Sequence, residues 1–170
     1  MHSSQSGSSH CCSAIKNHCS VSANLFIVRK AQSLDASTVS VLEQQCVRES
    51  QSFRGSAELL VEAPFVGNDF DEVLNDAGHL VLVVEYSGEM CGFADMEISD
   101  SVAMVRRVYI SEDARELGAG ATLINELRVH AKALGCTRID AYALPGDRLT
   151  KNLFERAGMK ARLLIASSDL

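Results

Sequence analysis

The sequence lacks an excess of basic charge. Asp and Glu number 22 against 16 Lys and Arg, for a formal net charge of −6. No global field draws phosphate backbones to the chain, which excludes nucleic acid as the default partner. Long hydrophobic runs are also missing. Stretches such as Leu80 to Val84 fall far short of the roughly 20 apolar residues of a membrane-spanning helix. The Ser-rich beginning through Ser9 has neither the basic start nor the continuous apolar stretch of a secretory signal, so a cytoplasmic protein without membrane contact is expected. Aromatic residues make up 5% of the chain and Trp is absent. Six cysteines could suggest a disulfide framework, but reduced thiols are the better reading. Cys46, Cys91 and Cys136 sit singly inside apolar patterns, where Cys behaves as a small hydrophobe. Cys11, Cys12 and Cys19 cluster with His10 and His18. Their ligand types could hold zinc, but the spacing matches no closed four-ligand pattern. No metal site is assigned, and residues 1–23 are expected to form a disordered leader.

What is present is one domain's worth of foldable chain. At 170 residues, with 46% hydrophobic and 22% charged residues, the chain can bury a core without covalent staples. Apolar patterning begins near Asn24, placing the domain at 24–170. Leu25 to Val28 reads as a buried strand. Asp35 and Ser37 offer N-cap chemistry to a helix that carries Val39, Leu42 and Cys46 inward. A short helix near Ala57 to Val61, a break at Pro64 and a helical turn near Asp71 to Leu74 follow. His79 to Tyr86, a Ser87-Gly88 turn and Met90 to Ile98 read as a hairpin, and Val102 to Ile110 as a third, antiparallel strand. Leu123, Leu127, Ala131 and Leu134 recur at helical spacing, and Gly135 stands where the helix ends. Thr137 to Leu144 is a strand broken by Pro145-Gly146. Asp147 caps a helix carrying Leu149, Leu153 and Ala157, which Gly158 ends, and Lys160 to Ile165 forms a closing strand. The strand–helix–strand passage from Val102 to Leu144 implies a parallel pair inside an otherwise antiparallel sheet. Arg106 and Arg107, adjacent on one strand, are expected on opposite faces, with one pointing outward.

The segment Arg115-Glu116-Leu117-Gly118-Ala119-Gly120-Ala121 joins the third of these strands to the long helix. Helix beginnings leave amides unpaired and carry partial positive charge, so this turn can hold a pyrophosphate. Two glycines can equally serve a tight turn alone. A P-loop is excluded, because no Gly-Lys-Ser or Gly-Lys-Thr follows. A Rossmann site fits poorly, since its loop belongs after the first strand of a repeated parallel unit.

The order strand, turn, helix, strand, Pro-Gly, and a helix ending Phe154-Glu155-Arg156-Ala157-Gly158-Met159 resembles the GNAT acetyltransferase family. Arg115, Gly118 and Gly120 meet the family's signature of Arg or Gln, two residues, Gly, one residue, then Gly or Ala. The similarity runs from about Leu25 to Ile165. It implies a mixed α/β fold: a mostly antiparallel sheet with a central splayed parallel pair, covered by helices. It also implies N-acetyl transfer from acetyl-CoA, the cosubstrate, to an amine of a small molecule or peptide. Val108, Tyr109 and Ile110 would pair with the pantetheine amides. Arg115 through Gly120, that is Arg115, Glu116, Leu117, Gly118, Ala119 and Gly120, would cradle the pyrophosphate, with Ala121 and Phe154 completing the cofactor set. The acetyl carbonyl would lie between Ile110 and the strand holding Tyr142, polarised by main-chain amides.

Two positions depart from the family pattern. Phe154 stands where a Tyr usually returns a proton to the thiolate, and Met104 stands where some members place a Glu base. Glu97 is taken as the candidate base acting through water, with Asp95 and Glu85 beside it on the hairpin. Glu116, at a position often Gly, sets a carboxylate near the phosphates. Asp69, Asp71, Glu72 and Asp76 crowd the segment expected to shape the acceptor site, which suggests a cationic amine, although solvated helix charges explain them as well. The alternative function is an acyl-CoA-binding sensor or interaction module without catalysis. The sequence does not reveal oligomeric state, and a homodimer is allowed.

Overall fold

The structure is a computed structural model that describes residues 25–166. The expected leader and its Cys/His cluster lie outside the described residues. Five strands form one sheet in the order β1 (Phe26–Lys30), β2 (His79–Tyr86), β3 (Glu89–Ser99), β4 (Val102–Ile110) and β5 (Arg138–Ala141). Pairs β1–β2, β2–β3 and β3–β4 are antiparallel, and β4–β5 is parallel. The β2–β3 turn is tight because Ser87 and Gly88 both take positive φ, 52° and 86°, the conformation that matches strand twist in a two-residue hairpin.

Helices cover both faces. On one, α4 (Ala119–Ala133) buries Leu123, Ile124, Leu127 and Ala131 against Leu80, Leu82, Val84, Ala94, Met96 and Val105, and α5 (Arg148–Arg156) adds Phe154. On the other, α1 (Ala36–Ser50) and α3 (Phe70–Asn75) bring Val39, Leu42 and Phe70 onto Val81, Val83, Phe93 and Tyr109. The short α2 (Ser56–Glu62) lies between α1 and α3 in the chain. Gly135, with φ 82°, ends α4 as expected, and Asp147 caps α5 by accepting from Thr150 N at 3.0 Å. Among the described residues no helix is long and apolar enough to cross a membrane.

Several expectations are corrected. The segment Lys160 to Ile165 forms no strand. Leu163, Leu164 and Ile165 are exposed, because apolar residues make a strand only where another strand supplies cross-strand partners, and no described strand pairs with them. The first strand is half-buried rather than buried, with Ile27 60% exposed. Asp35 does not cap α1 with its side chain. Its carboxylate accepts from Gln32 N at 2.8 Å and from Arg29, and the Arg29 guanidinium holds it below the usual carboxylate range. Leu134 and Leu149 are exposed rather than inward.

A bulge in β4 shapes everything downstream. Asp95 pairs with Arg107 but Met96 pairs with Val105, so Arg106 is an extra residue. The inserted residue reverses the alternation of faces. Ala103 and Val105 point to the α4 side before it, and Val108 and Ile110 after it. Arg106 and Arg107 therefore do not part to opposite faces. Arg106 reaches the Glu62 carbonyl and Arg107 the Ala63 carbonyl, and both side chains are largely buried. The β4–β5 pairing stops at the same place. Val105 opposite Ala141 is its last pair, extended only by Tyr142 N to Val105 O at 3.2 Å. Beyond it the strands splay.

Candidate functional site

The turn after β4 is built to leave amides unpaired. A short 3-10 turn, Glu112–Ala114, leads to Arg115, whose amide returns to Glu112 O at 3.2 Å. The first bond of α4 is Thr122 N to Gly118 O at 3.0 Å. Among the described residues the amides of residues 116–121 make no well-aligned hydrogen bond to a carbonyl or side chain. Consecutive free amides at a helix start, aligned with its dipole, are an anion cradle. Gly118 makes the turn with φ 103° and caps α4 with no side chain of its own. Gly120 serves another end: a Cβ there would lie 2.9 Å from Leu153 Cδ1, so glycine lets α4 and α5 approach beside the turn. Glu116 holds φ 63°, a left-handed conformation that is costly for a side chain with a Cβ. That side chain is exposed, which leaves its backbone available to the cradle.

A cavity of about 730 Å³ opens from this turn. Val108, Tyr109 and Ile110 floor it. Arg115, Glu116, Gly118, Gly120 and Ala121 close one end, with Ile124, Asn125 and Arg128 of α4 continuing that wall. Leu149, Asn152, Leu153 and Arg156 of α5 face them, and Cys46, Glu49, Ser50 and Phe53 form the wall from α1 and its following turn. A smaller cavity of about 40 Å³ continues between Arg106–Val108 and Tyr142–Leu144, and shares Cys46, Ser50, Val108, Asp147 and Thr150 with the larger. The strand splay and the amide turn thus open into adjoining space.

Of the residues singled out from sequence, Val108, Tyr109, Ile110, Arg115, Glu116, Gly118, Gly120 and Ala121 line the cavity. Leu117 is 52% exposed and Ala119 is buried beneath the helix start, so neither side chain reaches it. Phe154 is 6% exposed and packed in the α4-side core. Its ring is a core residue because the inward face of α5 centres on it rather than on Leu149. Glu97 lines neither cavity. Its half-exposed carboxylate pairs with Arg106 at 3.1 Å. Asp95 is fully buried against His79 and 4.0 Å from Arg106, and Glu85 pairs with Arg29 at 2.6 Å. Asp69, Asp71, Glu72 and Asp76 are exposed and line neither cavity; they are solvated surface charges.

Sequence reasoning missed the α1 wall. Glu49 accepts from Tyr109 Oη at 2.6 Å and from Arg115 Nη2 at 2.6 Å. Arg115 Nε also donates to Ile110 O at 2.8 Å, and the guanidinium stacks 5.4 Å from the Tyr109 ring. Burial, reinforced by the Glu49 carboxylate, pushes the Tyr109 hydroxyl up to about 12. Burial likewise pushes the Cys46 thiol up to about 11, so Cys46 is neutral near pH 7 and no nucleophile. Behind the splay, Glu43 accepts from Val66 N, Gly67 N and Arg107 at 2.9 to 3.1 Å. No local motif marks these acids; each meets its partners across more than 20 residues of chain.

Residues 44–159 match the family described as the Acetyltransferase (GNAT) family. The chain belongs to this acetyltransferase (GNAT) family. No curated protein sequence matches it. Solved structures share the GNAT fold at low identity. One is the aminoglycoside N-acetyltransferase AAC(6')-Iy in complex with the bisubstrate analog CoA-S-monomethyl-acetylneamine: 16% identical, TM-score 0.63, covering 85% of this chain and 99% of that one. A mutant of the BH1408 protein from Bacillus halodurans is 16% identical with TM-score 0.72, over 85% and 99% of the two chains. Glucosamine-6-phosphate N-acetyltransferase from Arabidopsis thaliana is 16% identical with TM-score 0.61, over 85% and 97%.

Proposed function

We propose that this GNAT protein transfers an acetyl group from acetyl-CoA to an amine. The observation that carries the reading is the row of free amides at residues 116–121, opening into a cavity that runs along β4 to the splay. A diphosphate suits the amides and the positive end of α4, with the Arg128 and Arg156 side chains on the same cavity. Past Val105, the edge of β4 that faced β5 has no strand partner among the described residues. The pantetheine amides would occupy it as an added strand, placing the thioester at the junction of the two cavities. There main-chain amides would stabilise the developing oxyanion.

The acceptor enters from the α1 side. An amine with a solution pKa near ~10 must shed a proton before it attacks. Asp147, at the junction, spends one carboxylate oxygen on its helix cap; the proton leaves through water. When the tetrahedral intermediate collapses, the C–S electron pair departs on sulfur. Phe154 cannot return a proton to it, so the thiolate leaves as such or is protonated by solvent.

The lack of a hydroxyl at Phe154 also favours a second reading, an acyl-CoA-binding module without transfer. Thermal melting with coenzyme A, followed by thiol release from acetyl-CoA over a panel of amines, separates the readings. Transfer is the expected result. A raised melting temperature with no thiol release would leave the module. A melting temperature unmoved by coenzyme A, and unmoved again in Gly118→Val, would remove both.

A further inference from the structure

Arg115 is the first residue of the turn, and a cation there invites the view that it binds phosphate. Although it lines the cavity, two of its three guanidinium nitrogens are already engaged. Nε is spent on the Ile110 carbonyl, Nη2 on Glu49, and the guanidinium plane lies over Tyr109. Glu49 in turn uses its other oxygen for the Tyr109 hydroxyl. One carboxylate from the last turn of α1 therefore joins three points: the end of β4, the start of the amide turn and the acceptor-side wall of the cavity.

We infer that Glu49 is a positioning residue for the coenzyme A turn, acting through Arg115 and Tyr109, so that the turn grips its diphosphate with backbone amides and not with the Arg115 charge. This rests on the acetyl-CoA reading above. Glu49 and Arg115 are 45% and 23% exposed at their side chains, and ion pairs so open to water contribute little to folding. The tie holds geometry rather than the fold. A carboxylate can receive both donors at once, whereas a carboxamide keeps one acceptor oxygen and loses the charge.

The two roles for Arg115 predict opposite signs. If Arg115 were a phosphate ligand held back by Glu49, removing Glu49 would free its charge and tighten coenzyme A. If Glu49 positions the turn, removing it weakens coenzyme A. The experiment is calorimetric titration of coenzyme A into the wild-type protein, Glu49→Ala, Glu49→Gln, Arg115→Ala and the double alanine variant, with thermal melting of each. Expected is about tenfold weaker binding in Glu49→Ala, a smaller loss in Glu49→Gln, and a double variant whose loss is less than the two single losses combined, because the Arg115 contact is shared and only the Tyr109 contact remains to be broken. Melting temperatures should stay nearly unmoved. Ultraviolet titration should find one tyrosine ionising at about 12 in the wild type and lower in Glu49→Gln. The sign follows from charge: an anionic neighbour opposes tyrosinate, and its removal eases ionisation.

Tighter or unchanged binding in Glu49→Ala, with the wild type binding normally, overturns this inference alone. A tyrosine shift without an affinity change does the same, since the contact would then be only structural. If the wild type fails to bind coenzyme A, the acetyl-CoA reading falls and this inference with it.

Discussion

The two faces of the sheet are built from different materials. On the α4 side the buried cluster is apolar throughout, from Phe26 and Leu82 to Leu127 and Phe154. On the α1 side Val39, Val83 and Phe93 share the interior with Glu43, Asp95 and Arg107, all nearly sealed from solvent. The apolar face needs only shape and fits α4 and α5 closely enough to aim the amide turn. The other face carries charges because the β4 bulge turns Arg106 and Arg107 inward together. Each must then find an anion or carbonyl, since an unpaired buried charge is far costlier than a paired one. These pairs bracket the splay, so the polar face specifies where the sheet opens while the apolar face supplies the bulk of the burial.

Breaking one member on each face sharpens this contrast. Glu43→Ala strands Arg107 and the amides of Val66 and Gly67, and is expected to cost about 3–5 kcal/mol in denaturant unfolding. Leu127→Ala, on the apolar face, is expected to cost about 2–5 kcal/mol. Glu43→Gln, which keeps an acceptor, should fall well below Glu43→Ala; equal costs for the two would mean the charge itself matters more than the hydrogen bonds. Gly120→Ala tests the joint between the apolar face and the site. Its new methyl meets Leu153 Cδ1 at 2.9 Å, the far end of a side chain that can partly yield, so a loss of about 1–3 kcal/mol should come with weaker coenzyme A binding by calorimetry. The smallest effect belongs to Glu116→Gly. It relieves a left-handed residue and removes a carboxylate from the expected diphosphate, while loosening the unfolded chain. A net stability gain below about 1 kcal/mol and tighter coenzyme A are expected, read by melting and titration together.

The path of the chain through the sheet was largely legible. The apolar runs of β2 and β3, the Ser87-Gly88 turn and the 3.6-residue stripe of α4 are local patterns, and the structure follows them within a few residues. Errors gathered where local pattern competes with tertiary partners. Lys160 to Ile165 has the composition of a strand but no edge to join. Leu149 has the spacing of a core residue, but α5 rolls Phe154 inward instead.

At the site, Arg115, Gly118 and Gly120 were readable because backbone conformation leaves its trace in glycine. The sequence could not separate their tasks, since a left-handed φ at Gly118 and a close helix contact at Gly120 use the same residue type. Glu49, Arg128, Arg156 and Asp147 carry no such trace. They are ordinary surface types in helices or caps until the fold brings them to one cavity.

By itself, then, the sequence determined the order of elements as far as α5, the antiparallel hairpins, the parallel return and an amide-rich helix start, because each depends on neighbours within a few residues. Only the tertiary structure decided that Arg106 is a bulge, that β4 and β5 part beside it, and that Glu49 meets Arg115 from the far side of the cavity. Those depend on contacts between segments distant in the chain, whose free energy no local pattern contains.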